Sequence, residues 1–148
     1  MIARLLHCER GQSILEVAVA APFLLLILAG CIDFGRYAYE GIVLANGAHA
    51  GVQYGSLSPI NAADLAGMES AAQADMPGLS VAFSPTPSTY CECADGAAST
   101  CAPTDCPASH SLRYVSVTVA ANFQPFIHLP SLPSTMTISR TAVQEVSP

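Results

Sequence analysis

From Val17 to Ile32 the chain carries no charged side chain, and the apolar run already begins at Ile14. As an α-helix, Ile14–Ile32 is about 28 Å long, close to the thickness of a bilayer core. No other feature restricts the fold as strongly. A helix this apolar can also be buried in a globular core, but the roughly 90 residues beyond residue 56 are too few to cover it on all sides. The apolar surplus is matched by a scarcity of charge. Hydrophobic residues make up 51% and charged residues 11% of the chain, against about a quarter charged in ordinary soluble domains.

The sign of the charge restricts the partners. Net charge is −6, and after residue 56 only Arg113 and Arg140 stand against acidic side chains. Nucleic-acid binding needs a positive footprint that releases counterions, so no nucleic-acid partner is expected. A polybasic membrane-surface mode is equally unsupported. Arg4 and Arg10 precede the run, whereas Asp33, Arg36 and Glu40 follow it with a negative balance. Arginine before the run places the N-terminus in the cytoplasm and the rest outside, a single pass with membrane lipid as the first partner.

The helical pattern continues past the run. Residues 33–55, DFGRYAYEGIVLANGAHAGVQYG, contain no proline. Arg36 and Glu40 are spaced as an i,i+4 ion pair. Ala38, Gly41, Ala45, Ala48, Val52 and Gly55 lay a stripe of small residues on one helical face. Glycine disfavours helix by about 1 kcal/mol each, so the stripe needs a reason. Two reasons stay open: close approach of a neighbouring helix, or packing on the chain's own domain. A continuous helix from Gln12 to Gly55 is about 66 Å long and projects well beyond a bilayer. Pro22 inside it is expected to introduce a kink.

Ser58-Pro59 interrupts this pattern. Asn61 reads as the N-cap of a helix over Ala62–Asp75 that Met76-Pro77-Gly78 ends. Leu79–Phe83 reads as a short strand, and residues 84–110, rich in Ser, Thr, Pro and Cys, as a loop. In Arg113–Phe123, Tyr114, Ser116 and Thr118 alternate with Val115, Val117 and Val119, a clear strand pattern. Residues 125–133 hold three prolines and connect it to a second alternating segment, Thr135–Val146, as a hairpin. The fold class is therefore α+β: a long N-terminal transmembrane helix continuing into a small ectodomain with a short helix and an antiparallel β-sheet. The expected organisation is a leader over 1–11, the extended helix over 12–56, and an extracytoplasmic domain over 57–148 with its Cys-rich loop at 84–110.

One motif lies where head and run meet. Gly11-Gln12-Ser13-Ile14-Leu15-Glu16 reads G-x-x-x-x-E between a basic head and an apolar helix. It resembles the processing site of type IV prepilins. The resemblance implies that a membrane peptidase cuts the Gly11–Gln12 bond and that Glu16 stays on the mature helix. The physics is compatible. Glycine lets the backbone extend into a peptidase cleft. A carboxylate on an apolar helix calls for a partner, and the cut creates an α-amino group on Gln12. The alternative role for Glu16 is to snorkel to the cytoplasmic interface.

A wider stretch carries a narrower resemblance. Arg10-Gly11, Glu16, Pro22, Asp33-Phe34-Gly35-Arg36 and Tyr54 together resemble the TadE-like family, minor pseudopilins of the tight-adherence (Flp) pilus system. The resemblance covers roughly a third of the chain. Val17 departs from it, since an aromatic often follows the glutamate in the family. What it implies is a subunit for pilus assembly or secretion, single-pass in a bacterial inner membrane. Its implied partners are a prepilin peptidase, other pilins or pseudopilins and an inner-membrane assembly platform.

A competing signal lies at the far end of the run. Leu28-Ala29-Gly30-Cys31 matches a lipoprotein lipobox, which makes Cys31 an alternative lipidation site and the chain a lipid-anchored periplasmic binding module. Against it, the segment before Cys31 is long, contains Glu16 and Pro22, and the helical pattern passes through Cys31 unbroken. A third reading is an uncleaved signal anchor bearing a disulfide-stabilised domain.

Cys91, Cys93, Cys101 and Cys106 cluster in the polar segment. Four cysteines can hold zinc, but C-x-C followed by C-x4-C is not a common structural spacing. An extracytoplasmic location favours two disulfides. Cys91 and Cys93 are too close to pair with each other, which leaves 91–101 with 93–106, or 91–106 with 93–101. No cofactor or metal is expected. His110 near Asp105 is a weak ligand candidate. His7, His49, His110 and His128 belong to no nucleophile–base pattern, and no phosphate-cradling glycine loop occurs. The chain reads as a substrate of enzymes rather than an enzyme.

Overall fold

The computed structural model describes residues 9–79, 81–102, 104–107, 109–127 and 133–147, with the backbone alone for 9–12. The leader up to residue 8 lies outside the described residues. Helix α1 spans Glu9–Ser56 and runs without interruption through Pro22 and Cys31. Two short helices follow, α2 (Pro59–Ala63) and α3 (Leu65–Ala74). Strands β1 (Phe83–Cys93), β2 (Ala98–Ser99), β3 (Ser111–Phe123) and β4 (Met136–Glu145) form one antiparallel sheet in the order β2-β1-β3-β4. The expected α+β class with a long leading helix is what forms.

The two halves of α1 live in different surroundings. Ser13 to Ala20 and Pro22 to Leu28 are exposed around the whole circumference, with Ile14 at 70% and Phe23 at 66%. A helix apolar on every face cannot stay bare in water. By length and composition it is the one helix among the described residues able to cross a membrane. The second half is amphipathic by contact. Leu44, Ala48 and Val52 are buried against Met68, Ala72 and Met76 and against Val115, Val117, Val119 and Ile138.

This settles the small-residue stripe. Gly41, Ala48, Val52 and Gly55 are buried in the chain's own domain. A methyl group added at Gly51 would meet a Val117 methyl at 3.0 Å and the Met68 carbonyl oxygen at 3.1 Å. The glycines therefore let α1 lie close to its own sheet and to α3. Ala38, on the same stripe, stays exposed.

The segment after α1 differs from expectation in three places. The helix expected over Ala62–Asp75 is divided. Ser58 caps α2, its Oγ accepting from the Asn61 N–H at 3.2 Å, and Asp64 caps α3, its Oδ1 accepting from the Gly67 N–H at 2.9 Å. Asn61, expected as a cap, instead donates its side-chain amide to the Tyr54 carbonyl. The strand expected over Leu79–Phe83 begins only at Phe83, and it continues through the first part of the loop expected over 84–110, as far as Cys93. Pro85 and Pro87 sit in β1 without harm. There β1 pairs with β3 alone, because β2 reaches only Cys91 and Glu92. Proline lacks an N–H but is tolerated where that side of the strand has no partner.

The β3–β4 hairpin forms as expected, with Phe123 opposite Met136 and Tyr114 opposite Glu145. Val115, Val117, Val119, Ala121 and Phe123 face the helices. The other face carries the Thr118–Thr141 hydroxyl pair and the stacked rings of Tyr90 and Tyr114. β4 runs in the same sense as α1, so Met136 lies beside the membrane exit and the Ser147 N–H reaches the Ser56 carbonyl at the far end.

Candidate functional site

Gly11 and Gln12 lie in the first turns of α1. Glu16 is exposed, four residues after Gln12. Residues at i and i+4 share a helical face, so an α-amino group created at Gln12 would emerge on the Glu16 side of the helix. Among the described residues nothing covers Glu16.

Asp33 marks the point where the apolar run ends. Its Oδ1 accepts the Phe126 N–H at 2.9 Å and its Oδ2 the Ile127 N–H at 3.1 Å. The Arg36 guanidinium donates to Asp33 at 3.2 Å and to the Gln124 carbonyl at 3.5 Å. It also lies over the rings of Phe126, at 3.9 Å from the centroid, and Phe123, at 5.3 Å. Phe123 in turn meets Tyr37 edge to face. One Asp–Arg pair thus fastens the turn after β3 to the helix at the membrane exit. The expected Arg36–Glu40 pair does not form. Arg36 is turned back one helical turn toward Asp33, on the side where the Gln124 carbonyl and the rings of Phe126 and Phe123 also receive it. Glu40 is instead buried, at 6% exposure, with no hydrogen-bond partner at Oε2.

Beside this clamp is an apolar groove of about 440 Å³ that runs along α1 from Leu26 and Gly30 past Asp33 to Tyr37, with Phe123, Ile127 and Met136 of the domain on its other side. Sequence reasoning marked Asp33 and Arg36 as part of a motif but not this site. Their partners are some 90 positions away in the chain.

At the opposite end the structure joins Cys91 to Cys101 and Cys93 to Cys106, with Cα separations of 5.1 and 5.6 Å. All four sulfurs are engaged, so the zinc arrangement is ruled out. Among the described residues no other group of His, Cys, Asp or Glu converges on a metal position. Asp105 ties the loop together, accepting from the Thr100 hydroxyl at 2.7 Å, the Thr100 N–H and the Ser99 hydroxyl. These bonds, the Thr100 hydroxyl first, hold its carboxyl below the usual range. Asp105 is thereby committed to the loop rather than to His110, which is exposed. Asp64 is lowered in the same way by the Gly67 N–H and the Tyr54 hydroxyl, and Tyr54 is raised by that shared bond. Cys31 is an exposed free thiol on the unbroken helix.

Residues 11–53 match the family of TadE-like protein. The chain carries a TadE-like segment. No curated protein and no solved structure matches it. The TadE-like segment begins at Gly11 and takes in Glu16, the apolar run, the Asp33–Arg36 clamp and the packed half of α1. It stops short of the sheet and the disulfide loop. The family is a structural, pilus-related one rather than a family of enzymes. Together with the apolar helix, the match supports a pilus-associated protein with a membrane anchor near its N-terminus.

Proposed function

We propose that this chain is a pseudopilin-like subunit for assembly of a tight-adherence pilus or a related secretion system, processed after Gly11 by a prepilin peptidase. The observation that carries the reading is one continuous helix. It holds Gly11, the exposed Glu16, a bare apolar span and a half packed into a small ectodomain, and the TadE-like match starts at its glycine. A carboxylate left on a lipid-exposed helix calls for a cationic partner, and the α-amino group of a neighbouring processed subunit supplies one. The small-residue stripe does not serve assembly in this reading, because it is spent inside the domain. The assembly surface is the span itself, with Glu16. The partners are the peptidase, other pilins or pseudopilins and an inner-membrane platform, with the ectodomain extracytoplasmic.

The unbroken helix through Cys31 weighs against a lipid anchor there, which would leave the Asp33 clamp only two residues from a cut end. Intact-mass analysis of the membrane-extracted protein tests the choice. Loss of residues 1–11, abolished in Gly11→Ala, supports processing at the prepilin site. Loss of 1–30 with added lipid mass, abolished in Cys31→Ala, replaces it with the lipoprotein reading. An intact N-terminus replaces both with a signal anchor.

A further inference from the structure

We infer that the membrane-proximal rim of the ectodomain, the turn Pro125-Phe126-Ile127 with Met136, is seated in the outer leaflet, and that lipid acyl chains fill the Leu26–Gly30 end of the groove beside the Asp33–Arg36 clamp. The inference rests on the reading of Ile14–Ile32 as the membrane span. Three independent observations carry it.

The first is height. The groove is shared between the domain and the span: Leu26 and Gly30 belong to the last turns of the apolar run, and Phe123, Ile127 and Met136 face them. Leu26 lies seven residues, about 10 Å along the helix axis, below Asp33. A span that places Leu26 among acyl chains brings those domain side chains to the same depth. The second is fixation. The Asp33 carboxylate takes both turn amides, so the turn cannot rise away from the exit while the clamp holds. Phe126 is nevertheless 70% exposed, and Phe34 of α1, which lines the groove, is 71% exposed. Aromatic rings at this level are what a bilayer interface accommodates, with the Arg36 cation above them toward the headgroups.

The third is charge. No Asp, Glu, Lys or Arg lies between Arg113 and Arg140 in the sequence. That interval includes the described residues at the membrane-facing end of the hairpin, Phe123 to Ile127 and Met136, whereas Glu92, Asp95, Asp105 and Glu145 gather at the far end with the disulfides. Among the described residues, the formal charges that touch the turn are Asp33 and Arg36, which pair with each other. Such a rim enters an interface at little desolvation cost, and the apolar groove continues the lipid-facing surface of the span. Seating the rim gives the ectodomain two attachments, which sets the angle at which it stands on the membrane.

The chain has no tryptophan, so one substitution installs a unique fluorophore. The full chain is reconstituted into phosphatidylcholine vesicles containing lipids brominated at shallow or deep acyl positions. Phe126→Trp and Ile127→Trp report on the rim, Phe23→Trp on the span, and Tyr90→Trp on the distant face of the sheet. Both rim variants are expected to emit at shorter wavelength than Tyr90→Trp and to be quenched by the shallow bromolipid at least about twofold more strongly. Rim emission and quenching equal to those of Tyr90→Trp, with Phe23→Trp still quenched, overturn the rim inference alone. An unquenched Phe23→Trp overturns the span and the rim together. Shielding of Phe126→Trp by lipid with Ile127→Trp unshielded overturns the filled groove.

Discussion

Gly51 and Gly35 lie on the same helix and differ in one respect. An added Cβ at Gly35 meets nothing within 4 Å, whereas at Gly51 it meets both Val117 methyls, at 3.0 and 3.2 Å, and the Met68 carbonyl oxygen at 3.1 Å. Ordinary carbon contacts begin at about 3.5 Å. Val117 is fully buried and Met68 contributes backbone of α3, so neither can swing aside. Alanine in place of glycine gains about 1 kcal/mol of helix propensity at either site. Overpacking a close-packed core costs about 1–3 kcal/mol. Gly35→Ala is then expected to be neutral or stabilising by up to about 1 kcal/mol, and Gly51→Ala neutral to destabilising by about 2 kcal/mol. The difference between the variants removes the shared propensity gain and leaves the packing cost alone, about 1–3 kcal/mol. Urea unfolding of the full chain in detergent micelles, followed by near-ultraviolet circular dichroism, measures that difference through the midpoint. Equal midpoint shifts in the two variants would refute the claim that the glycine-bearing face of α1 around Gly51 packs on its own domain. They would return it to a surface for neighbouring helices.

Asp33→Ala removes the acceptor for two backbone amides, and exchange of the Phe126 and Ile127 amides with deuterium is expected to accelerate at least about tenfold; unchanged exchange means the clamp does not hold the turn. Replacing Cys93 and Cys106 together by serine releases a loop with a sequence separation of 13 and is expected to lower stability by about 3 kcal/mol on the chain-entropy argument. An unshifted urea midpoint would contradict that. Folding depresses the Asp64 and Asp105 carboxyls below their ordinary 3.8. Their stabilisation is therefore complete above that value and is lost as pH falls from it through the lower folded values. Protection of the Gly67 and Thr100 amides followed on acidification checks this; loss of protection well above pH 3.8 contradicts it. Tyr54 behaves in the opposite sense. Its raised hydroxyl contributes below its ordinary value of 10.0, and the contribution is lost as pH rises through the higher folded value.

Local pattern carried much of this protein. The uncharged run from Val17 to Ile32 demands a membrane or an equally apolar cover whatever else the chain does, because a helix apolar on all faces has no stable position in water. The alternation around Val115, Val117 and Val119 likewise determines which face of β3 is buried, since side chains on a strand point alternately to opposite faces. Where competing local signals were close in strength, pattern alone misled. Ser, Thr and Pro made β1 look like a loop, because the free side of Pro85 and Pro87 depends on how short β2 is. Ser58 and Asp64 were stronger caps than Asn61 once the chain had turned against Tyr54.

What only the tertiary structure decided are the long-range pairings. Glycines at helical spacing read the same whether they receive a neighbouring subunit or Val117 of the same chain. Four cysteines in one loop permit two connectivities until the β1–β2 pairing sets Ser99 opposite Cys91 and so brings Cys101 to it. Arg36 has Asp33 three residues before it and Glu40 four after it, and the Gln124 carbonyl and the Phe126 ring draw it to the Asp33 side. In each case the deciding partner lies on another element, and side-chain periodicity, a property of one element at a time, carries no information about it.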